Sequence, residues 1–128
     1  NVFMGGRGGS PAEPHIREQI GEWLTPYYEA GEVPEPMADP TLADIIWWKG
    51  DEVFVVEVSR KVDGEDVRRA HLRAETLRRV GVKATPAVVG EEWAGDDVQS
   101  LALVEGVEWM VARGLSPGFL RFRQIRQG

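Results

Sequence analysis

Two runs of alternating side chains, separated by Gly50-Asp51, constrain the fold more than any other part of the chain. They lie within residues 42–59, LADIIWWKGDEVFVVEVS, and both are rich in β-branched and aromatic residues. Side chains that alternate at every second position are typical of β-strands. Gly50-Asp51 suits a two-residue turn with glycine at the first central position, so the stretch predicts a β-hairpin.

The turn also predicts which residues of the two strands face each other. A two-residue turn places Lys49 opposite Glu52. Continued along both strands, this register places Asp44 opposite Glu57. Opposed Cβ atoms in such a pair lie about 4.5–5.5 Å apart, so the two carboxylates repel each other. A divalent cation could compensate them. The alternative is that Asp44 opens a strand near solvent and Glu57 lies on a solvated edge.

Composition limits the chemistry that such a site could use. The chain has 128 residues, no cysteine and only two histidines, which excludes thiolate metal sites and disfavours a histidine-rich zinc site. A metal would therefore be bound by oxygen, as magnesium, manganese and calcium are. The net charge of −6 requires any nucleic-acid contact to use a local basic face. Neither a membrane-spanning apolar run nor a signal peptide is visible, so we expect a cytoplasmic protein with no membrane partner.

The rest of the chain predicts one α/β domain with short flanking segments. Residues 1–12 are rich in glycine and lack periodicity, which predicts a flexible lead-in. Within the domain, residues 13–112, the pattern predicts a helix at 13–30, the hairpin, a helix at 65–80, a strand at 82–90, a helix at 96–105 and a strand at 107–112. The proline-rich segment 32–37 could form a short edge strand. Residues 113–128 predict a basic amphipathic tail.

Two surfaces of this domain are candidates for partners. The helix at 65–80 carries five arginines, which either form solvated pairs with glutamates or contact the phosphates of a nucleic acid: Arg68, Arg69, Arg73, Arg78 and Arg79. The tail combines arginines with Phe119, Phe122 and Ile125 and could pair with a partner chain, cover a core edge or bind an acidic surface. This apolar area, together with the aromatic residues of the first helix, predicts a homodimer.

The order of elements, with Asp44 and Glu57 on adjacent strands and a helix directly after, resembles the PD-(D/E)XK nuclease superfamily. That superfamily includes restriction endonucleases and archaeal Holliday-junction resolvases. The resemblance covers roughly residues 12–112. It implies a restriction-endonuclease-like mixed four-stranded sheet flanked by helices, in the order αββαβαβ. It maps the first acidic position onto Asp44 and the (D/E)XK element onto Glu57-Val58-Ser59.

The resemblance also implies a metal site. Magnesium or manganese would bind Asp44, Glu57 and the backbone carbonyl of Val58. An acidic residue of the first helix often joins the site, and three are available: Glu13, Glu18 and Glu22. In catalysis, Asp44 and Glu57 would act with a basic residue that activates water and stabilises developing charge.

The basic residue is where the sequence departs from the motif. Ser59 stands at the position of the motif lysine, and it carries no charge. Lys61 lies two residues further along the same strand and is the candidate catalytic replacement; Lys83 is another. Ala43, in place of the usual proline before the first acid, is a smaller departure.

Three functional interpretations follow. The first is a metal-dependent nuclease that hydrolyses phosphodiesters with weak activity, which the presence of Asp44 and Glu57 favours. The second is a nuclease fold without catalysis that serves a binding or scaffolding role, which Ser59 and the acidic net charge favour. The third is an unrelated α/β domain in which the paired acids are structural.

Overall fold

The computed structural model describes residues 1–126 and shows a six-stranded mixed sheet with helices packed against it. In chain order the elements are β1 (Arg7–Gly9), α1 (Pro14–Trp23), α2 (Thr25–Glu29), β2 (Ile45–Lys49), β3 (Glu52–Val62), α3 (Gly64–Arg79), β4 (Lys83–Trp93), α4 (Val98–Val104), β5 (Glu108–Val111), β6 (Gly114–Leu115) and α5 (Pro117–Gln124). No helix among these residues is long and apolar enough to cross a bilayer.

The six strands lie side by side in the same order as in the chain. The β1–β2, β2–β3 and β5–β6 pairs are antiparallel, whereas β3–β4 and β4–β5 are parallel. A parallel pair needs a crossover connection, and α3 and α4 provide the two that this sheet requires. The predicted α/β class, and the predicted position of β4 beside the strand of Glu57, are confirmed.

The predicted register of the hairpin is confirmed over the whole of β2. Lys49 lies opposite Glu52, and the pairing continues to Ile45 and Val56. Gly50 occupies the turn with a φ of +60°, a conformation that glycine adopts without a steric penalty. The ladder ends at Ile45, so Asp44 lies one residue before the strand and does not pair with Glu57 as a strand residue.

Both faces of the hairpin are buried, by different parts of the chain. Ile46, Val53 and Val55 pack against α1 and α3. On the opposite face, Phe54 and Val56 pack against the start of the chain and α5. Residues 53–57 of β3 are therefore buried whichever way they point, whereas Val58 is 44% exposed.

The segment predicted as a flexible lead-in is part of this core. It contributes the edge strand β1, and Phe3 is 2% exposed and stacks on Trp47 with 4.8 Å between ring centroids. The proline-rich segment contributes no edge strand; it forms 3₁₀ turns at Pro36–Ala38 and Pro40–Leu42. Each turn begins at a proline, whose fixed φ suits a first helical position and which has no N–H for a strand ladder.

The predicted helix at 13–30 is divided. It breaks at Leu24, and Pro26 lies in the first turn of α2, where its missing N–H costs no hydrogen bond. Pro26 thus coincides with the break that divides the predicted helix. Residues 65–80 and 96–105 correspond to α3 and α4.

The predicted tail covers the sheet. Phe119 and Phe122 of α5 are fully buried, and their rings lie 5.4 and 3.9 Å from that of Phe54. Much of the apolar area from which a homodimer was predicted is thus internal, which removes that basis for the prediction. Residues 127–128 of the predicted tail lie outside the described residues.

Lys49 connects the hairpin to the first residues of the chain and to α5 by hydrogen bonds. It is 1% exposed, and its Nζ donates hydrogen bonds to the backbone carbonyls of Met4, Phe122 and Arg123 at 3.1, 2.8 and 3.0 Å. The last two belong to the final turn of α5, where carbonyls lack intrahelical partners and carry negative partial charge. Burial lowers the pKa of Lys49, and the charge of Arg123 lowers it further.

We expect Lys49→Met to lower the free energy of unfolding by about 2–4 kcal/mol, because three carbonyls, one of them in a fully buried hydrogen bond, lose a charged donor. Urea unfolding measures the change. Lys83→Met is the matched control, since Lys83 forms an ion pair on the surface, with Asp51 at 3.0 Å, and its loss should change stability little. Equal effects of the two substitutions would contradict this account of Lys49.

Candidate functional site

Glu57 lies near the middle of β3, on the face that packs against α3. It follows Val53 and Val55 at alternating positions, and it pairs in parallel with Val88 of β4. Only 3% of its surface is exposed. A carboxylate this deeply buried must be compensated by hydrogen bonds or by opposite charge.

Two arginines of α3 supply that charge. Arg73 Nη1 donates to Glu57 Oε1 at 2.8 Å, and Arg69 Nε lies 3.5 Å from the same oxygen. The side chain of Arg73 is 8% exposed, so this ion pair is shielded from water on both sides. Spacing along the helix explains the convergence, because residues four apart lie on the same face.

The arginines are in turn fixed by other parts of the chain. Arg73 Nη2 donates to the carbonyl of Pro36 at 3.2 Å, and Thr76 Oγ1 donates to that of Ala38 at 2.6 Å. Arg69 Nη2 donates to Asp66 Oδ1 at 2.6 Å. The cluster therefore joins β3, α3 and the 3₁₀ turn at Pro36–Ala38.

Asp66 also belongs to the start of α3. Its backbone N–H donates to Asp63 Oδ1 at 2.9 Å, and its own Oδ2 accepts from the N–H of Asp63 at 3.0 Å. This reciprocal pair is a capping box, which satisfies two backbone donors at the helix start. The same carboxylate thus caps the helix and positions Arg69 against Glu57.

Asp44 lies beside the cluster but has a different partner. Its Oδ2 accepts a hydrogen bond from the N–H of Val58 at 2.8 Å. Since the β2–β3 ladder ends at Ile45, the side chain of Asp44 takes over where a backbone carbonyl would otherwise accept. The carboxylate is exposed, whereas that of Glu57 is not.

Burial dominates the electrostatics of Glu57. It raises the pKa of the carboxyl group, Arg73 opposes the rise by charge and hydrogen bonding, Asp44 adds to it, and Arg69 opposes it. Glu57 Oε2 and Arg73 Nε are buried and have no hydrogen-bond partner among the described residues. Both arginines approach Oε1, so one side of each buried group is left unsatisfied.

The structure brings together three of the residues predicted for the site, Asp44, Glu57 and Val58. It places Lys61, the candidate catalytic residue, in a surface ion pair with Glu92, with 3.6 Å between Nζ and Oε1. Ser59 Oγ donates to the carbonyl of Lys61 at 2.9 Å and contributes no charge.

The other candidate residues lie elsewhere. Lys83 lies opposite Glu52, at the far end of β3 and about 16 Å along the strand from Glu57, so it cannot supply charge at this site. Of the first-helix acids, Glu13 lies 3.7 Å from His15, and Glu18 and Glu22 are exposed on α1. The charges that shift the pKa of Glu57 are those of Arg73, Asp44 and Arg69.

Two of the oxygens that a magnesium or manganese ion would use are already engaged by other groups. These cations prefer anionic oxygens without competing positive charge. Here Glu57 Oε1 already accepts from Arg73, with Arg69 nearby, and Asp44 Oδ2 accepts from a backbone N–H. Within residues 1–126, no three His, Cys, Asp or Glu side chains are grouped as metal ligands.

The sequence placed Arg69 and Arg73 on a solvated or phosphate-contacting face and did not identify them as partners of Glu57, although a signal was present. Arg73 lies three residues after Ala70 and four before Leu77, which belong to the apolar face of α3. Helical spacing therefore places it at the sheet, where a cation needs a buried acid, and Glu57 is such an acid. For Lys49, by contrast, the sequence gives no such signal, because a lysine next to a turn is normally exposed.

Comparisons with known proteins add no further constraint. A scan against protein-family models, a search of curated proteins and a search of solved structures give no match to this chain. The likeness to the nuclease superfamily thus depends on the motif and the order of elements alone.

We expect Arg73→Met to lower the free energy of unfolding by about 3–5 kcal/mol at neutral pH, because it leaves a buried carboxylate with only Arg69. A carboxyl group whose pKa is higher in the folded than in the unfolded state makes the fold less stable as pH rises through that pKa. Without Arg73, the pKa of Glu57 rises further above its ordinary value. The loss relative to wild type should therefore be larger at about pH 7.5 than at about pH 5.

Urea unfolding at the two pH values measures this difference. Adding Glu57→Gln to Arg73→Met should recover part of the stability at the higher pH and little at the lower, since a protonated Glu57 resembles glutamine. Arg7→Met, which removes an exposed arginine from the edge strand β1, is the control and should show no such pH dependence. A loss from Arg73→Met that is the same at both pH values would show that Arg73 does not compensate Glu57.

Proposed function

We propose that this domain is a non-catalytic module with a nuclease-like fold that serves a binding or scaffolding role. One observation carries the proposal: Arg73 Nη1 lies 2.8 Å from Glu57 Oε1, with both side chains buried. In this interpretation the arginines of α3 compensate the acid that would otherwise bind a metal.

A metal at Glu57 would have to displace Arg73. Removing one partner of a buried ion pair typically costs about 3–5 kcal/mol, so a cation must offset this cost before it gains anything from Glu57. Arg73 also donates to Pro36, and displacing it would free that turn as well. The cluster therefore favours a fixed α3 over an open ligand site.

The missing basic residue supports the same proposal. Ser59 is uncharged, and Lys61 is engaged with Glu92 on the surface. A preorganised electrostatic group of the kind that the motif lysine provides is typically worth about 100- to 1000-fold in rate. Its absence is a second reason to expect no efficient hydrolysis.

The order of elements supports the nuclease-like part of the proposal. From α1 to β5 the chain follows the order αββαβαβ, with α1 and α2 together in the place of the first helix. We propose that β2 to β5 correspond to the four-stranded core of restriction-endonuclease-like folds, and that β1 and β6 are additions at its two edges.

A weak metal-dependent nuclease is the second candidate. It is favoured by the convergence of Asp44, Glu57 and Val58 and by Glu57 Oε2, which has no partner among the described residues. This candidate requires Arg73 and Arg69 to move away from Glu57 when magnesium or manganese is present. Lys61 would then have to break its ion pair with Glu92 and move to the site.

Melting temperature and plasmid nicking with millimolar manganese separate the two candidates. A ligand that binds only the folded state raises the melting temperature. We expect no manganese-dependent shift and no nicking for wild type or for Ser59→Lys, because the added lysine leaves Glu57 bound to Arg73. Asp44→Asn with Glu57→Gln is the control that removes both acids.

A shift in wild type that this control abolishes would contradict the proposal. So would brisk nicking by wild type. If Lys61→Ala then abolished the nicking while leaving the manganese-dependent shift intact, the second candidate would replace the first.

A further inference from the structure

The outer surface of α3 carries a regular stripe of side chains that is separate from the cluster of Glu57, Arg69 and Arg73. Its members recur at alternating spacings of three and four residues, which places them on one face of the helix: Glu65, Arg68, Leu72, Glu75 and Arg79. We call this set the α3 stripe. Glu65, Arg68 and Arg79 are exposed, and Leu72 and Glu75 are half-buried.

Two cavities lie along this stripe and meet at its centre. The first, of about 500 Å³, lies between the first half of α3 and α4, and Leu72 and Leu101 line it. The second, of about 380 Å³, lies between the second half of α3 and the loop before the 3₁₀ turns, and Leu72, Tyr27 and Val33 line it. The stripe therefore has Leu72 at its centre, a mainly apolar cavity beside its first half and a mainly polar one beside its second half.

The charges of the stripe are complementary to themselves when the helix is reversed. Glu65 lies seven residues before Leu72, and Arg79 lies seven residues after it, each about 10.5 Å along the axis. An antiparallel copy of the helix centred on Leu72 thus sets Glu65 against Arg79 of the other copy, twice.

The inner positions follow the same rule. Arg68 lies four residues before Leu72 and Glu75 three residues after it, so their axial offset in the antiparallel pair is only about 1.5 Å. Glu65 and Glu75 have exposed or half-exposed neighbours within their own helix, Arg69 at 3.3 Å and Arg78 at 3.8 Å. Such surface pairs are weak and can be shared with a second cation.

Two apolar residues lie beside the stripe, one near each end of α3. Leu101 of α4 borders the start of α3 and is 38% exposed, whereas Val33 borders its end and is 78% exposed. Their burial against a second copy would add apolar area to the charge pairs.

A second copy of the chain fits this surface better than a nucleic acid does. Of the five arginines on α3, Arg69 and Arg73 point inward to Glu57, and Arg78 Nε donates to the carbonyl of Ala84 at 2.6 Å. The remaining two alternate with glutamates along the stripe. A polyanion needs a face of one sign, whereas alternating signs suit a protein partner.

We propose that the chain forms a homodimer through the α3 stripe, with the two α3 helices antiparallel about a two-fold axis at Leu72. The interface is isologous, since the same stripe acts on both copies. It uses neither the tail nor the carboxylates of Asp44 and Glu57. A test of this interface is therefore independent of the function proposed above.

Sedimentation equilibrium of the full chain tests the proposal. Wild type should give twice the monomer mass of 14.3 kDa. Arg79→Glu sets acid against acid at two symmetry-related positions and should weaken the dimer by at least about tenfold. Glu65→Arg should weaken it similarly, and the two substitutions together should return the dissociation constant to within about threefold of wild type, because the pair is then only exchanged.

Arg7→Glu is the matched control. It changes the net charge by the same amount as Arg79→Glu, but on the edge strand β1, and should leave the dissociation constant unchanged. Circular dichroism checks that each variant is folded. A wild-type monomer at high micromolar concentration, or a double variant that is no tighter than the single ones, would overturn the proposal. So would binding of a fluorescent duplex DNA that Arg79→Glu abolishes in a protein of monomer mass, since the stripe would then be a nucleic-acid surface.

Discussion

The ion pair between Glu57 and Arg73 is the contact on which the arrangement of the α3 side depends. Glu57 belongs to the part of β3 that is buried on both faces, and only 3% of its surface is exposed. Arg73 reaches it from α3 and also donates to the carbonyl of Pro36, so one guanidinium joins strand, helix and turn. Buried ion pairs add little net stability, but losing one partner is costly. The pair therefore fixes where α3 sits more than it adds to the stability of the fold.

The opposite face of the hairpin uses the same device with the charges exchanged. There the buried ion is Lys49, and its partners are carbonyls at the end of α5 and at the start of the chain. One buried charge thus docks a helix on each face of the β2–β3 hairpin. On the Lys49 face the partners are backbone carbonyls, and on the Glu57 face they are charged side chains.

The sequence predicts those parts of the fold that have a periodic side-chain pattern. Alternation and the Gly50-Asp51 turn give the hairpin and its register, and helical spacing gives the order of helices. Strand β1 could not be found in this way, because its glycines carry no pattern. Gly8 passes so close to the backbone of Ile46 that a Cβ would collide with its carbonyl oxygen, and this is why glycine is needed there. Such close backbone approaches leave no periodic signal.

The sequence predicted that Asp44 and Glu57 lie close together, but neither the position of Lys61 nor the groups that compensate Glu57. The register brought Asp44 and Glu57 together, but the compensation comes from Arg73 on a helix sixteen residues later, a contact that no local rule contains. A short motif indicates which acids are close, whereas the three-dimensional packing decides whether a metal or an arginine neutralises them.

The most direct test of the central claim is an NMR titration of manganese into protein with ¹³C-labelled side-chain carboxyl groups. Manganese is paramagnetic and broadens the signals of groups that it approaches. If Arg73 occupies the place of a metal at Glu57, the Glu57 carboxyl signal should not broaden at lower manganese concentrations than the exposed carboxyl groups of the surface do. Selective broadening of Glu57 and Asp44 together, before the surface acids, would show that the cation displaces the arginine and would contradict the account.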